Sequence, residues 1–281
     1  QHPEILIVAP QADYHAQAVH AVLTKRLGCD AVLLNKAAFP RQGRASFSLT
    51  DDSQDASVLG VDLSRVRAVW WRRPEPCQIW DTHGFDADFV QAECDHFIEG
   101  ALYACRQAWW MNDPQAHRAA ARKPLQLTLA RACGLQLPRT WMGNDAEGAT
   151  DFLEEVGDAI IKRVGASRNH LSMTQRVSAF DDNWVESLDK CPVVLQEYIP
   201  LGFDVRVTWI DGQVFAARIE SSVGKSPDDC RFDMSVPFTP IELPASVRSG
   251  LDRLMDELGL AYGAVDFRVG PSGKWNFLEV N

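Results

Sequence analysis

The sequence predicts an α/β fold that begins with a parallel strand–helix–strand unit and continues into a region containing antiparallel hairpins. Glu4–Pro10 and Ala31–Leu34 are short apolar segments, and residues 13–28 between them have the spacing of an amphipathic helix. Asp211-Gly212 separates two alternating strands within residues 204–219, which is the signal of a type I′ turn. The first pattern predicts a parallel sheet, and the second predicts antiparallel strands later in the chain.

The rest of the first part reads as strands and one long helix. Residues 47–49 and 66–71 have the composition of strands, a helix covers about 85–105, and Trp109-Trp110 marks another strand. The turn after the first strand lacks the G-x-G-x-x-G pattern, so a dinucleotide-binding Rossmann unit has no support.

A second region opens at Asn112-Asp-Pro114, which is a turn or helix-start signal. A helix carrying Leu125, Leu129 and Ala132 follows, and Gly134 ends it. Residues 222–240 are rich in Gly, Ser, Pro and Asp and predict a long loop, a type of segment that is often functional. The remaining predicted elements are strands at 140–142, 159–164 and 193–199 and helices at 146–156 and 245–258.

Composition indicates an ordinary globular protein and disfavours two partner classes. The 281 residues are 46% hydrophobic and carry a net charge of −10, which argues against broad binding to nucleic acid phosphates. The seven cysteines are scattered without a C-x-x-C pair, which favours a reducing cytoplasm over a disulfide framework. No apolar run is long enough to span a membrane, so we expect no membrane partner.

The terminal hairpin carries the strongest chemical signal. If Gly270 pairs with Gly273, Asp266 lies opposite Phe277, and Asp266, Glu279 and Asn281 share one strand face. Two carboxylates and an amide oxygen are hard ligands suited to Mg²⁺. The alternative is a solvated polar face on an edge hairpin, and a one-residue slip would divide the three side chains between two faces.

Several cations and polar residues have plain interpretations when taken singly. Lys123 fits a solvated helix start, Lys162 a strand residue facing solvent or a pocket, and Arg206 a cross-strand partner of a carboxylate such as Glu220. Taken in order with the carboxylates, they resemble the ATP-grasp superfamily, and more narrowly the ligases that macrocyclise ribosomal peptides, known as graspetide maturases. The segments that carry the resemblance are Trp70–Pro74, Asn112–Pro114, Lys123 with Leu125–Leu127, Leu137–Thr140, Ile161-Lys162, Gln196–Ile199, Asp204–Arg206, Gly263–Asp266 and Phe277–Asn281.

The resemblance implies an ATP-grasp fold with an N-terminal pre-ATP-grasp α/β domain at 1–111 and two α+β lobes at 112–190 and 191–281. It also implies roles for single residues. The nucleotide would be bound by Lys123, Lys162 and the segment Gln196, Glu197, Tyr198 and Ile199; two magnesium ions by Asp266, Glu279 and Asn281; and catalysis would involve Asp204, Arg206 and Arg218.

The implied activity is an ATP-dependent ligation in which a peptide carboxylate becomes an acyl phosphate and is attacked by a side-chain hydroxyl or amine. The implied partner is a precursor peptide with a leader and an acidic core, for which Arg72, Arg73 and Arg231 are candidate contacts. A homodimer is expected from the resemblance alone. The alternatives are a RimK-like carboxylate–amine ligase acting on a small molecule or protein tail, and a nucleotide-binding module without catalysis.

Two features depart from the family pattern. The segment Gly165–His170 is less glycine-rich than many ATP-grasp phosphate loops, and Arg168 and His170 are candidate compensating donors. The sequence also ends at Asn281, where the family continues through Pro and Gly. No general base stands out, although Asp229 and Asp233 of the long loop carry suitable side chains.

Overall fold

The computed structural model describes residues 1–81, 86–165, 175–180, 182–200, 202–220 and 236–281. The chain divides into two compact units, Gln1–Asp113 and Pro114–Asn281. In the described residues, no helix combines the length and apolarity that crossing a membrane requires.

The first unit is built around a parallel sheet, as the strand–helix–strand pattern predicts. Its strand order is β2-β1-β6-β7, and the flanking helices are α1 and α2. The bounds are β1 Ile5–Val8, α1 Tyr14–Ala21, β2 Ala31–Leu34, β6 Ala68–Trp71, α2 Ala87–Leu102 and β7 Trp109–Met111. Leu6, Ile7 and Val8 are all fully buried, which is typical of a parallel strand covered on both faces.

A small antiparallel sheet in the same unit was only partly predicted. It joins β3 Ala45–Leu49, β4 Gln54–Val58 and β5 Val61–Asp62. The sequence indicates a strand at residues 47–49 but misses β4 and β5, because Gln54, Asp55 and Ser57 have low strand propensity. Local pairing with β3 and burial of Val58 and Val61 stabilise the extended backbone instead.

The second unit begins with two short helices and contains a four-stranded sheet of order β10-β9-β11-β8. Asp145 caps the N-terminus of the helix Ala146–Val156, because its side chain accepts hydrogen bonds from the backbone N–H groups of Glu147 and Gly148. The bounds are α3 Pro114–Ala120, α4 Lys123–Ala132, β8 Thr140–Gly143, α5 Ala146–Val156, β9 Ala159–Arg163, β10 Gln175–Val177, α6 Asp182–Leu188 and β11 Val193–Glu197.

A five-stranded sheet of order β14-β13-β12-β15-β16 completes the second unit. One face carries Val205, Val207 and Phe267 and packs in a common core with Leu251 and Leu254 of α7. The opposite face, called the polar face below, carries Asp204, Arg206, Asp266 and Arg268 on β12 and β15. The bounds are β12 Phe203–Ile210, β13 Gln213–Ile219, β14 Phe238–Pro240, α7 Ala245–Glu257, β15 Tyr262–Val269 and β16 Trp275–Val280.

The two predicted turns differ in outcome. Asp211 and Gly212 have φ values of 44° and 80°, so the type I′ turn between β12 and β13 is confirmed. The predicted contact of Gly270 with Gly273 is present, because Gly273 N–H donates to the Gly270 carbonyl at 2.9 Å, but the register predicted from it is wrong: Gly270 N–H donates to the Lys274 carbonyl at 3.3 Å, and Gly273 has a positive φ of 76°. The turn therefore contains one more residue than the sequence interpretation assumed.

Sheet membership and core packing within the second unit do not follow the predicted lobe boundaries. Strand β11, which was assigned to the lobe 191–281, pairs with β8 and β9 of the four-stranded sheet. Ala120 and Ala130 of α3 and α4, assigned to the lobe 112–190, pack in the core of the five-stranded sheet. The chain passes from the four-stranded to the five-stranded sheet between Glu197 and Phe203, the end of β11 and the start of β12.

Candidate active site

The polar face of the five-stranded sheet brings four charged side chains into two cross-strand pairs. The register places Asp204 opposite Arg268 and Arg206 opposite Asp266. Arg206 Nη1 donates to both Asp266 oxygens at 2.7 Å. The Asp204–Arg268 pair has distances of 2.8 and 3.0 Å and is buried, with both side chains under a tenth exposed. The four charges therefore neutralise one another in two pairs.

The predicted magnesium ligands meet on this polar face, by a different register from the one predicted. Asp266 lies opposite Glu279 rather than Phe277, because a β-bulge shifts the pairing between Asp266 and Phe267. Phe277 instead lies opposite Phe267 in the core, and Leu278 is the extra residue on β16. The bulge lets Phe277 face the core while Glu279 faces the carboxylate of Asp266.

Asn281 completes the set. Its Nδ2 lies 3.5 Å from Asp266 Oδ2 and 3.3 Å from Glu279 Oε1. A side-chain amide can exchange its nitrogen and oxygen by rotation about χ2, which would turn the oxygen toward the carboxylates. Three oxygen donors at one position fit a hard divalent cation. In the described part of the chain no group of three or more His, Cys, Asp or Glu side chains could hold a metal, and this set combines two carboxylates with an amide.

Lys123 approaches Glu279 from the start of α4. Its Nζ forms a short ion pair with Glu279 Oε2, and both side chains are about a fifth exposed. A lysine in the first turn opposes the helix macrodipole, so this position does not serve helix stability. The ion pair with Glu279 offsets that cost and points the ammonium group toward the predicted metal ligands.

The Glu279 carboxyl is held ionised. Burial by itself raises its pKa, but the charge and hydrogen bond of Lys123, the charge of Lys162 and the hydrogen bond from Asn281 together lower the pKa from 4.5 to about 2. The carboxylate is therefore fully charged at neutral pH and requires no deprotonation to bind a cation.

Lys162 lies in the four-stranded sheet and is part of a polar chain. Its Nζ donates to Gln196 Oε1 at 3.0 Å, and Gln196 Nε2 donates to Thr140 Oγ1 at 3.0 Å. Gln196 is buried, so these bonds orient its side chain strongly. The charge of Lys162 contributes to the lowered pKa of Glu279, so Lys162 lies near the predicted metal ligands.

The predicted adenine segment is anchored by its own backbone. The N–H groups of Glu197 and Tyr198 donate at 2.9 Å to the carbonyls of Arg139 and Asp158. The Arg176 guanidinium lies over the Tyr198 ring at 4.1 Å. The backbone N–H groups of two of the four expected residues are thus hydrogen-bonded within the protein. Adenine would have to be recognised by other backbone groups of this segment.

Two of the expected catalytic residues lie away from the exposed charges. Asp204 is committed to the buried pair with Arg268. Arg218 lies opposite Val205, whose side chain belongs to the core face, and its guanidinium lies 4.0 Å from the Phe203 ring centroid. Arg218 also contacts Glu220 at 2.5 Å. The register therefore directs Arg206 and Arg218 to opposite faces, because directly paired residues share a face.

The candidate peptide contacts differ in setting. In the first unit, Arg72 is largely buried and forms an ion pair with Asp13 at 3.2 Å, whereas Arg73 is exposed with a positive φ of 46° before Pro74. A left-handed arginine before proline is strained, and such strain is found at functional sites. The candidates Arg231, Arg168, His170, Asp229 and Asp233 lie outside the described residues.

Sequence reasoning missed two buried polar residues of this region. Gln126 is a buried residue of α4, and Arg268 is a buried residue of β15 that pairs with Asp204. A glutamine within the apolar spacing of a helix and an arginine two residues after Asp266 were visible signals. Neither could be interpreted without knowing its partner on another strand.

Comparison with known proteins gives structural matches only. No protein-family model matches the sequence, and no curated protein matches it. The macrocyclase MdnC from Microcystis aeruginosa MRC, solved with the precursor peptide MdnA, is 26% identical with a TM-score of 0.82, and the match covers 100% of this chain and 91% of that one. The ATP-grasp ligase PsnB, solved with a minimal precursor, Mg and ADP, is 28% identical with a TM-score of 0.78 and coverage of 99% and 88%.

A third solved structure shares the fold at a much lower sequence identity. The RimK domain ATP-grasp protein from Sphaerobacter thermophilus DSM 20745 is 15% identical with a TM-score of 0.60, and the match covers 99% of this chain and 90% of that one. At this identity it shows the fold alone. The chain therefore has the ATP-grasp fold, and over nearly its whole length it resembles the macrocyclase MdnC and the ATP-grasp ligase PsnB, in agreement with the resemblance to graspetide-type maturases that the sequence indicates.

Proposed function

We propose that this protein is an ATP-dependent ligase that closes rings in a ribosomal precursor peptide. It would activate Asp or Glu side chains of the peptide and join them to side-chain hydroxyls or amines. The observation that carries the proposal is the convergence of Asp266, Glu279, Asn281 and Lys123 at one position of the polar sheet face. The resemblance of the whole chain to MdnC and PsnB supports the peptide substrate.

The proposed reaction has two steps. A peptide carboxylate oxygen attacks the γ-phosphorus of ATP, the bond to the β,γ-bridging oxygen breaks, and ADP leaves. A hydroxyl or amine then attacks the carbonyl of the acyl phosphate, the carbon–oxygen bond to phosphate breaks, and the nucleophile loses its proton. Phosphorylation is needed because a free carboxylate is a poor electrophile. Each ring closure consumes one ATP and removes one water from the peptide.

Asp266, Glu279 and Asn281 would hold magnesium, which when bound supplies positive charge to the phosphate oxygens during transfer. The resemblance favours two ions. The donor set fits because the carboxylates are direct cross-strand neighbours and Glu279 is ionised at neutral pH. The chain's contribution is the spacing of these oxygens, which the bulge at Leu278 and the β15–β16 pairing determine.

The cations around this set would bind and orient the phosphates. Lys123 contacts Glu279 from helix α4, and Lys162 of β9 lies near enough for its charge to lower the pKa of Glu279. Arg206 presents its planar guanidinium beside Asp266, in a geometry suited to bidentate binding of a carboxylate or phosphoryl group. Gln196, Glu197, Tyr198 and Ile199 would receive the adenine.

The finer assignments extend this proposal. The peptide would consist of a leader and an acidic core, with Arg72, Arg73 and Arg231 among its contacts, and the enzyme would act as a cytoplasmic homodimer. The scattered cysteines support a reducing compartment. Burial raises the pKa of Cys77 and of Cys105 to about 12, which makes both thiols unreactive.

The test combines two measurements on short acidic peptides encoded beside the gene. We expect magnesium-dependent ADP release and a mass loss of one water per link. Glu279→Gln should abolish both, whereas Glu155→Gln, the same change at an exposed ion pair on α5, should leave them intact. A mass gain would instead support a carboxylate–amine ligase. Nucleotide binding without ADP release on any peptide would contradict catalysis.

A further inference from the structure

Gln126 is a buried amide of the second unit whose polar atoms are all placed against backbone groups. Its side chain is about 2% exposed and forms three hydrogen bonds. Nε2 donates to the carbonyls of Ala120 and Val280, both at 2.9 Å, and Oε1 accepts from the Val280 N–H at 2.9 Å. The carboxamide therefore pairs with β16 as the peptide group of a neighbouring strand would.

Val280 lies between the two predicted metal ligands of β16. Its N–H belongs to the peptide group that joins it to Glu279, and its carbonyl belongs to the peptide group that joins it to Asn281. Holding both atoms orients both peptide planes. On the opposite side, Asn281 exchanges backbone hydrogen bonds with Ala264 of β15 at 2.8 and 2.9 Å. The end of β16 is thus held from two sides.

The same helix also carries Lys123. This residue lies one turn before Gln126 on α4 and contacts the Glu279 carboxylate. Helix α4 therefore contacts the metal-ligand segment at two points. Gln126 bonds to the main chain of Val280, and Lys123 pairs with the side chain of Glu279. A displacement of β16 would change the distances among Glu279, Asn281 and Lys123 together.

We propose that Gln126 is a positioning residue of the divalent-cation site. Its carboxamide sets the spacing of Glu279 and Asn281 and their distance from the Lys123 ammonium. The inference rests on the proposed function, because it assumes that Glu279 and Asn281 bind the metal that ATP-dependent ligation uses. Gln126 touches neither nucleotide nor peptide in this role and acts only through β16.

Asn276 offers a matched comparison on the same strand. It is a buried amide whose Nδ2 donates to the carbonyls of Arg268 and Lys274 at 3.2 and 3.1 Å. Its bonds are confined to the hairpin turn end of β15 and β16. Replacing either amide removes buried hydrogen bonds from β16, but only Gln126 contacts the backbone between the metal ligands.

The experiment measures metal affinity apart from turnover. Mn²⁺ is titrated in the presence of saturating ADP and followed by electron paramagnetic resonance, for the wild type, Gln126→Met and Asn276→Leu. Loss of an outer partner typically weakens metal binding roughly 10- to 100-fold, and we expect this for Gln126→Met. Asn276→Leu should lower the thermal unfolding temperature while leaving Mn²⁺ affinity close to that of the wild type. ADP affinity without metal should be unchanged in both variants.

Equal Mn²⁺ affinity of Gln126→Met and wild type would overturn the inference, and so would an equal loss in Asn276→Leu. If Gln126→Met does not fold, Gln126→Asn replaces it, because the shorter side chain keeps the amide but does not reach Val280; the same weakening is expected. Wild type that binds Mn²⁺ and ADP but links no peptide would contradict the proposed function and leave the positioning role standing.

Discussion

At the scale of single residues, each carboxylate on the polar sheet face is paired with its own cation, but the pairs differ in burial. Lys123–Glu279 and Arg206–Asp266 remain a fifth to a third exposed, whereas Asp204–Arg268 is under a tenth exposed. Partly exposed pairs can exchange partners at low cost, while removing one member of a buried pair leaves an uncompensated charge. The first two pairs are therefore suited to exchanging a partner for metal or phosphate, whereas the third pair is suited to stabilising the sheet.

The depressed pKa of Glu279 predicts how stability depends on pH. A folded-state pKa of about 2 against 4.5 contributes stability that is complete above pH 4.5 and is lost as pH falls toward 2. The full effect is on the order of 3 kcal/mol. We expect the free energy of unfolding of wild type to exceed that of Glu279→Gln at pH 7, with the difference shrinking below pH 4.5. Urea unfolding across pH 3–7 measures this.

The control for that measurement is Glu155→Gln. Glu155 is exposed and paired with Arg139, so its replacement should change stability by less than about 1 kcal/mol. A constant difference between wild type and Glu279→Gln from pH 7 to pH 3 would contradict the coupling of Glu279 to Lys123.

The two arginines of the β12–β13 hairpin should differ in effect. Because Arg206 contacts Asp266 and Arg218 lies on the core face, Arg206→Ala should lower kcat by about 10²- to 10³-fold, and Arg218→Ala should change it by less than about 3-fold. Steady-state ADP release with saturating peptide measures both. Similar losses in the two variants would indicate that Arg218 reaches the reacting groups by a rearrangement of the strand.

At the scale of elements, turns and bulges determine which side chains meet. The extra residue in the Gly270–Lys274 turn and the extra residue Leu278 each move the register of β16. Without the bulge, Phe277 and Glu279 would share one face of β16, so placing Phe277 in the core would turn Glu279 toward the core as well. The bulge places it directly opposite Asp266.

Two glycine substitutions should change stability in opposite directions. Gly212 has a φ of 80° in the type I′ turn, so Gly212→Ala should destabilise the protein by about 1–2 kcal/mol. Gly100 lies inside α2 and a methyl group there would meet nothing within 4 Å, so Gly100→Ala should stabilise by about 0.5–1 kcal/mol. Urea unfolding of each variant gives both values, and destabilisation by Gly100→Ala would show that the helix surface is covered.

At the scale of the whole molecule, the proposed nucleotide and metal contacts all fall in one unit. Lys123, Lys162, Gln196, Arg206 and the three oxygen ligands belong to Pro114–Asn281, although the chain as a whole carries a charge of −10. Although the chain as a whole is acidic, its second unit contains a local group of cations suited to binding a triphosphate.

Nucleotide should accordingly protect the second unit selectively. At about 100 times its Kd, a ligand stabilises the state it binds by about 2.7 kcal/mol. We expect ADP with magnesium to slow hydrogen exchange in β9, β11, β15 and β16, and to leave the parallel sheet of Gln1–Asp113 unchanged. Mass spectrometry of exchanged peptides tests this. Protection confined to the first unit would contradict the nucleotide assignment.

The sequence by itself determined the parallel N-terminal unit, the positions of α5 and α7, the type I′ turn and the identity of the candidate ligands. These follow from local periodicity, turn chemistry and residue type, all of which are properties of short segments. The tertiary structure alone decided that Glu279 lies opposite Asp266, that Arg218 faces away from Arg206, and that Gln126 bonds to Val280. Strand register and pairing between distant segments depend on packing and loop length, and no window of sequence contains that information.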